Sequence, residues 1–498
     1  MFREEKRSSV SGFAVLLLLG LLVGAVSLLS AAEKILTTAA GKRAKEVIEL
    51  VNQGSRQMWK EYIKKNLTQK FLDAVPMERH LNIFSETCDM YGRLELEYIY
   101  EDENKDYAIG IKLKSPATES WLKLNVQVEE KPPYKIAGIG VRLSWPPEGS
   151  APSDRELTAQ DIVDILARYL DKLEKSRKFS GAVLLAKDDK ILFKGAYGLA
   201  SERYKVPNKI DTKFNLGSMN KMFTAVAVAQ LVEKNKLSYE DLVGKYLDSS
   251  WVQPETAQKV KIKHLLSHTS GLGSFFNKKF WESSRLLYRG IDDWKPLVND
   301  DKPKFEPGTK WSYSNTGMFL LGPIIAKASG QGYYDYIREN LYKPAGMINS
   351  GCFDNDRPVP NLAIGYEKKY TDEGFYWRNN IFDHSVKGGP AGGGFSTVED
   401  LFHFARALLD SKLVSKEMVE LLTNPKPELN SPGYGYGFTI SKRGHDTAVG
   451  HGGGYTGINS ILQIFKKSGY IYAIMSNRSN GIDLVQLKLD TMLSPRPR

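Results

Sequence analysis

The chain has 498 residues, too many for one ordinary domain, and its 42% hydrophobic and 26% charged content is that of a globular protein with a real core. Its formal charge is +11, but the lysines and arginines are scattered among acids and not gathered into a stripe, which argues against nucleic acid as a partner. Two cysteines, Cys88 and Cys352, lie far apart, so a disulfide framework is not indicated and a cysteine-built metal site is ruled out by count.

Phe13 to Leu29 is an uncharged apolar run behind Arg3, Lys6 and Arg7, and the small residues Ser30-Ala31-Ala32 follow it. This is the pattern of a secretory signal peptide over residues 1–32. The rival reading is an uncleaved membrane anchor, because seventeen apolar residues nearly span a bilayer. Both readings place the body outside the cytoplasm, in the periplasm, the cell envelope or the medium. Loss of residues 1–32 lowers the formal charge only to +10, which suits an anionic envelope.

Residues 33–143 predict a small α+β accessory domain. Val47, Leu50, Val51, Met58 and Tyr62 have helical spacing, and "RLELEYIY", "DYAIGIKLK", "WLKLNVQVEE" and "YKIAGIGVRL" alternate as half-buried strands. One or two helices covering an antiparallel sheet of about four strands is the expected arrangement. In topology it resembles cystatin-like or nuclear-transport-factor-like domains, with no motif behind the likeness. Residues 144–155, containing "SWPPEGSAPSD", read as a linker.

From residue 156 to 498 the pattern changes. A helix ("LTAQDIVDILARYLDKLEK") and a hairpin ("SGAVLLAKDDKILFKGAYG") precede a loop-rich helical middle, and the end returns to strands ("YGYGFTIS", "TAVGHGGG", "INSILQIFKK", "YIYAIMSN"). Strands from both ends are expected to join one sheet, with the helical part packed beside it.

Ser-x-x-Lys occurs twice. Ser120 and Lys123 fall in a strand pattern, where residues three apart point to opposite faces and cannot cooperate. Ser218 and Lys221 stand at the start of "MFTAVAVAQLV", a helix apolar nearly all round and therefore central and buried. A Ser in that place is most often a helix N-cap. A lysine there is desolvated, which favours the neutral amine able to take a proton from the serine. Tyr313-Ser314-Asn315 is the one Tyr-x-Asn of the chain; taken alone it is a turn before a helix. His451 is followed by Gly452, Gly453 and Gly454, where backbone can approach a ligand closely. Gly452 to Gly457 also spells a dinucleotide-binding fingerprint, but a strand follows it where that motif needs a helix. His264 and His268 have the spacing of a zinc pair, yet no H-E-x-x-H arrangement or third ligand accompanies them, and packing at a helix end is the simpler role. No cofactor is implied.

Ser218-x-x-Lys221, Tyr313-x-Asn315 and His451-Gly452-Gly453, in that order, resemble the three motifs of class C serine β-lactamases, DD-peptidases and related esterases. "HLLSHTSGL", "FEPGTKWSYSNTG", "AGGGFSTVEDLFHFARALL" and "GHGGGYTGINS" are similar to the same family, so the likeness covers roughly residues 156–498. It implies a β-lactamase/transpeptidase-like fold, an antiparallel sheet flanked by helices beside an all-α subdomain. It further implies Ser218 as nucleophile, Lys221 and Tyr313 as its proton shuttle, and the backbone N–H groups of Ser218 and Gly454 as oxyanion hole. Asn315, His451, Gly452 and Gly453 become substrate-binding residues, with Asn315 also placing Lys221. Class C β-lactamases have lysine at the position of His451. A neutral histidine offers no fixed charge to a substrate carboxylate, which weakens the expectation of penicillin hydrolysis. The expected activity is hydrolysis of an amide or ester, on D-amino-acid peptides, with peptidoglycan-derived peptides among the candidates, or on simple esters. The alternatives are a true β-lactamase and a non-catalytic sensor. "SFFNKKFW" and "GFYWRNNIF" are aromatic loops that either line a pocket or pack between subdomains.

Overall fold

The computed structural model describes residues 36–99, 106–147 and 157–494. The apolar run read as a signal peptide or anchor lies outside the described residues, as do residues 148–155 of the predicted linker. The chain divides into two units, residues 1–152 with 370–374, and residues 153–369 with 375–498.

Among its described residues the first unit contains four helices, α1 (Ala39–Gln53), α2 (Arg56–Asn66), α3 (Gln69–Ala74) and α4 (Met77–Tyr91), where one or two were expected. No residue of α3 is buried, so it leaves no apolar stripe to read, whereas α4 carries one in Met77, Leu81, Phe84, Cys88 and Tyr91, beyond the helices expected. After them come β1 (Glu95–Ile99), β2 (Ala108–Ser115), β3 (Ser120–Val128) and β4 (Ile136–Ser144), antiparallel in the order of the chain. Ile109, Ile111, Leu113, Leu122, Leu124 and Val126 bury one sheet face with Ala44, Val47 and Trp59 of the helices. Ser120 and Lys123 lie on β3 and so face opposite ways.

The second unit opens with α5 (Ala159–Lys175), started by a Thr158/Asp161 capping box, followed by β5 (Gly181–Lys187) and β6 (Lys190–Tyr197). Helix α6 (Asn220–Glu233) is buried on every side from Asn220 to Leu231. α7 (Asn315–Ser329) packs against it, and α8 (Val398–Leu409) follows further along. The chain then forms β7 (Thr439–Arg443), β8 (Asp446–Tyr455), β9 (Ile458–Phe465) and β10 (Tyr470–Ser476), and ends its described part in α9 (Asp483–Leu493). The strand order is β7-β8-β9-β10-β5-β6, antiparallel throughout, so strands from both ends of the unit share one sheet as the sequence predicts. This sheet with its neighbouring helices is the β-lactamase/transpeptidase-like arrangement, and it sets the end of β8 against the start of α6.

Candidate active site

Ser218 sits in a tight turn, Gly217–Met219, that runs directly into α6. The residue before the helix is Met219 and no side chain caps it, so Ser218 is not an N-cap and its hydroxyl is left for other work. Gly217 has φ +50°, and a Cβ there would meet Gly454 N at 2.9 Å. From the other side, a Cβ on Gly453 would fall 1.9 Å from the Leu216 carbonyl oxygen and 2.9 Å from Ser218 N. Glycine at both positions lets the two backbones touch, and this contact brings the amides of Ser218 and Gly454 to one place.

Lys221, one helical turn beyond Ser218, is fully buried, and burial lowers its amine well below the ordinary lysine value. Its Nζ donates to the Ala391 carbonyl at 2.5 Å and lies 4.9 Å from the centre of the Tyr313 ring. That carbonyl belongs to a loop clasped by the first turns of α6. Asn220 donates to Gly389 O and accepts from Gly394 N–H, while Thr224 Oγ1 donates to Pro390 O. Tyr313 stands just before α7, and the Ser218 side chain acts on its phenol. Desolvation pushes that phenol up to about 12 against the opposing pull of Ser218, so at neutral pH it holds its proton. A neutral amine one helical turn from Ser218 and a protonated phenol beside that amine are the pairing needed to carry a hydroxyl proton away and deliver it elsewhere.

The family-implied partners are placed less evenly. Asn315 begins α7 and lines the cleft, but its Nδ2 donates to Ser274 Oγ at 3.2 Å; the hydrogen bond of Lys221 goes to Ala391 and not to Asn315. His451 does not present a nitrogen to substrate. It is buried, its Nδ1–H donates to the Gly452 carbonyl at 2.5 Å, and its Nε2 accepts from Tyr434 OH at 2.9 Å. The cause is strand alternation, since His451 and Gly453 share the face of β8 turned toward residues 216–218. Burial, then the nearby Lys221, lowers its pKa to about 3, so the ring is neutral. Gly452 and Gly453 do not line the cleft either, whereas Gly454 does.

His264 and His268 go to different partners. His264 Nδ1 accepts from Lys261 N–H, and His268 Nδ1 accepts from Ser314 N–H at 3.1 Å, next to Tyr313. The fully buried His268 ring lies 4.2 Å from the Tyr313 ring and 4.5 Å from that of Tyr434, and so backs the Tyr313 phenol. Cys352 is a half-buried thiol that accepts a weak bond from Asn220 Nδ2, and desolvation pushes it up to about 12, which makes it unreactive.

The cleft over Ser218 encloses about 600 Å³ including its open mouth. Phe275, Phe276, Phe280, Trp294 and Phe319 form an aromatic wall, so "SFFNKKFW" does line the pocket. From the second aromatic loop the lining passes instead to the residues just after it, Asp383, His384 and Ser385. Sequence reasoning missed these three, Asn215 (whose Oδ1 accepts from Gly217 N–H at 2.8 Å) and Ala391. For Ala391 a signal existed in the glycine run that follows it, which marks close backbone approach.

The chain is similar to known proteins over most of its second unit. The chain is 32% identical over 336 residues to penicillin-binding protein 4* of Bacillus subtilis, an alignment covering 64% of this chain and 73% of that one. The crystal structure of a penicillin-binding protein from Bacillus halodurans superposes with a TM-score of 0.59 at 29% identity, covering 65% of this chain and 98% of the other. D-amino acid amidase from Ochrobactrum anthropi has the same fold, with a TM-score of 0.55 at 23% identity over 67% of this chain and 98% of its own. The β-lactamase family model matches residues 166–494, and with the serine, lysine and tyrosine gathered as described, the chain belongs to the β-lactamase family.

Proposed function

We propose that the protein is an extracytoplasmic serine hydrolase that transfers an acyl group through Ser218. The observation that carries this reading is that Ser218 lines an open cleft with a neutral Lys221 one helical turn behind it and a protonated Tyr313 whose ring centre lies 4.9 Å from the lysine Nζ. Ser218 Oγ attacks the carbonyl carbon of an amide or ester while its proton passes to Lys221. Negative charge collects on the carbonyl oxygen between the amides of Ser218 and Gly454, donors that matter only once that charge develops. Tyr313 gives its proton to the leaving amine or alcohol and is reprotonated through Lys221. Water then enters by the same path in reverse and frees the acid. The aromatic wall favours an apolar group on the acyl side. With His451 neutral and turned inward, that position supplies no cation for a substrate carboxylate, and this favours peptidase-like or esterase-like turnover over penicillin hydrolysis. The extracytoplasmic location rests on the N-terminal apolar run.

Intact-mass spectrometry tests the reading. The protein and its Ser218→Ala variant are incubated with a fluorophosphonate and, separately, with a penicillin. A fluorophosphonate adduct present in the parent and absent in the variant is expected. A long-lived penicillin adduct would favour the peptidase branch over the esterase branch. A folded parent protein that forms no adduct with either reagent would remove the enzyme reading and leave a binding protein.

A further inference from the structure

Among the polar side chains lining the cleft, His384 has no task in the acyl-transfer scheme, and its surroundings fix where its proton lies. Asn380 Oδ1 accepts from Gly365 N–H at 3.2 Å, so the amide nitrogen points the other way, donating to Thr456 O at 2.9 Å and to His384 Nε2 at 2.8 Å. A ring nitrogen that accepts carries no hydrogen, so the neutral imidazole holds its proton on Nδ1. The other tautomer would set Nε2–H toward Thr456 O at 3.2 Å but against the amide hydrogens of Asn380. Nδ1 makes no hydrogen bond among the described residues and is not sealed inside the protein. The Tyr455 ring stands edge-on 5.0 Å away and steadies the imidazole plane. Tyr455 directly follows Gly454, so His384 packs where the strand leaves the oxyanion donor. Thr456, whose carbonyl lies 3.2 Å from His384 Nε2, is the second residue after Gly454, in the turn between β8 and β9, so this donor flanks the oxyanion amide on the side where the next carbonyl of an acyl chain would run.

We infer that His384 Nδ1–H is a substrate-binding donor that recognises an acyl-side carbonyl, so that the preferred substrate is an N-acylated amino acid or peptide bearing an aromatic or large apolar side chain, not a simple ester. The side chain meets Phe275, Phe276 and Phe280, and the N-acyl carbonyl accepts from His384. This inference rests on the acyl-transfer reading for its substrate class, and it is tested with and without turnover.

The kinetic test compares an activated ester of N-acetyl-D-phenylalanine with the matching ester of 3-phenylpropionic acid, which lacks the acetamido group. His384→Phe keeps a ring against Tyr455 and removes the donor. It is expected to lower kcat/KM about fivefold for the first ester, the worth of one neutral hydrogen bond, and to leave the second unchanged. His384→Asn, whose amide N–H takes the place of Nδ1–H, restores the first. Equal losses on both esters, or no loss on either, overturn the inference. Wild type that turns over neither ester in a Ser218-dependent way counts against the acyl-transfer reading, and the second measurement then decides for His384. In the Ser218→Ala protein with ¹⁵N-labelled histidine, imidazole NMR should show an Nδ1-protonated His384 whose Nδ1 resonance moves on adding N-acetyl-D-phenylalaninamide and not on adding 3-phenylpropionamide. An Nε2-protonated ring, or a resonance indifferent to both amides, overturns it.

Discussion

Lys221 concentrates the chemistry and its cost in one side chain. Holding a fully buried amine neutral is unfavourable wherever the unfolded chain would protonate it, so its folded pKa lies below the unfolded value. Between those two values the unfolded state binds more protons, and stability rises with pH. Lys221→Met, of similar length and apolar, is therefore expected to raise Tm near neutral pH, by about 1–2 °C for each kcal/mol recovered, with the gain shrinking as pH approaches 10. The same variant loses fluorophosphonate labelling. Lys221→Arg keeps a cation that cannot shed its proton and is expected to label at least a hundredfold more slowly than wild type, the usual worth of a general base. In the wild type, labelling should rise with pH through the lowered lysine pKa, because only the neutral amine accepts the serine proton. A labelling rate that holds up in Lys221→Arg would show that another group is the base.

The end of β8 against the turn before α6 is the element on which the site depends. A methyl on Gly453 would meet the Leu216 carbonyl oxygen at 1.9 Å, backbone against backbone, with no flexible group to give way. Gly453→Ala is thus expected to part the two oxyanion amides and slow Ser218 labelling on the order of a hundredfold, a figure typical of one lost donor. Gly454→Ala has its nearest neighbour at 3.7 Å, the Asn459 amide, and keeps its N–H, so a far smaller loss is expected. Rates measured on the two variants side by side separate backbone approach from a general dislike of side chains on this strand. How legible these elements are differs sharply. α6 reads off the sequence because it is apolar all round, and the central strands β5, β9 and β10 because they are short, largely apolar runs. The partner of Lys221 does not, since a backbone carbonyl has no letter of its own. The inward turn of His451 is set by which face of β8 it shares with Gly453, and no count along the sequence gives that face. His384 sits in the unremarkable letters Asp-His-Ser, and its tautomer is decided by Asn380 and Thr456, the latter 72 residues away.

At the scale of the whole molecule the chain builds two hydrophobic clusters from different residues, one per unit. The first is small and set by period-2 strands under helices, so its existence was legible, while the short helix α3, with no buried residue, was not. Leu124, 1% exposed at its centre, is a fair probe. Leu124→Ala should cost about 2–5 kcal/mol in that cluster, seen as a lower or separate first transition on calorimetry, with the rate of Ser218 labelling at 25 °C unchanged. A matching fall in labelling would tie the function of the second unit to the folding of the first.

The neutrality of the constellation around Ser218 has a consequence for how the protein responds to its medium. Lys221, His268 and His451 are all held uncharged by burial, and Tyr313 keeps its proton, so these four groups around Ser218 carry no charge at neutral pH, and the one carboxylate among the described lining residues, Asp383, is paired with Arg378 at 2.7 Å. Dissolved salt acts by screening charge, and here there is almost none to screen. Turnover of an uncharged acyl donor should therefore run at nearly the same rate in dilute buffer and in concentrated brine, a tolerance built into the site by its burial and not by its surface.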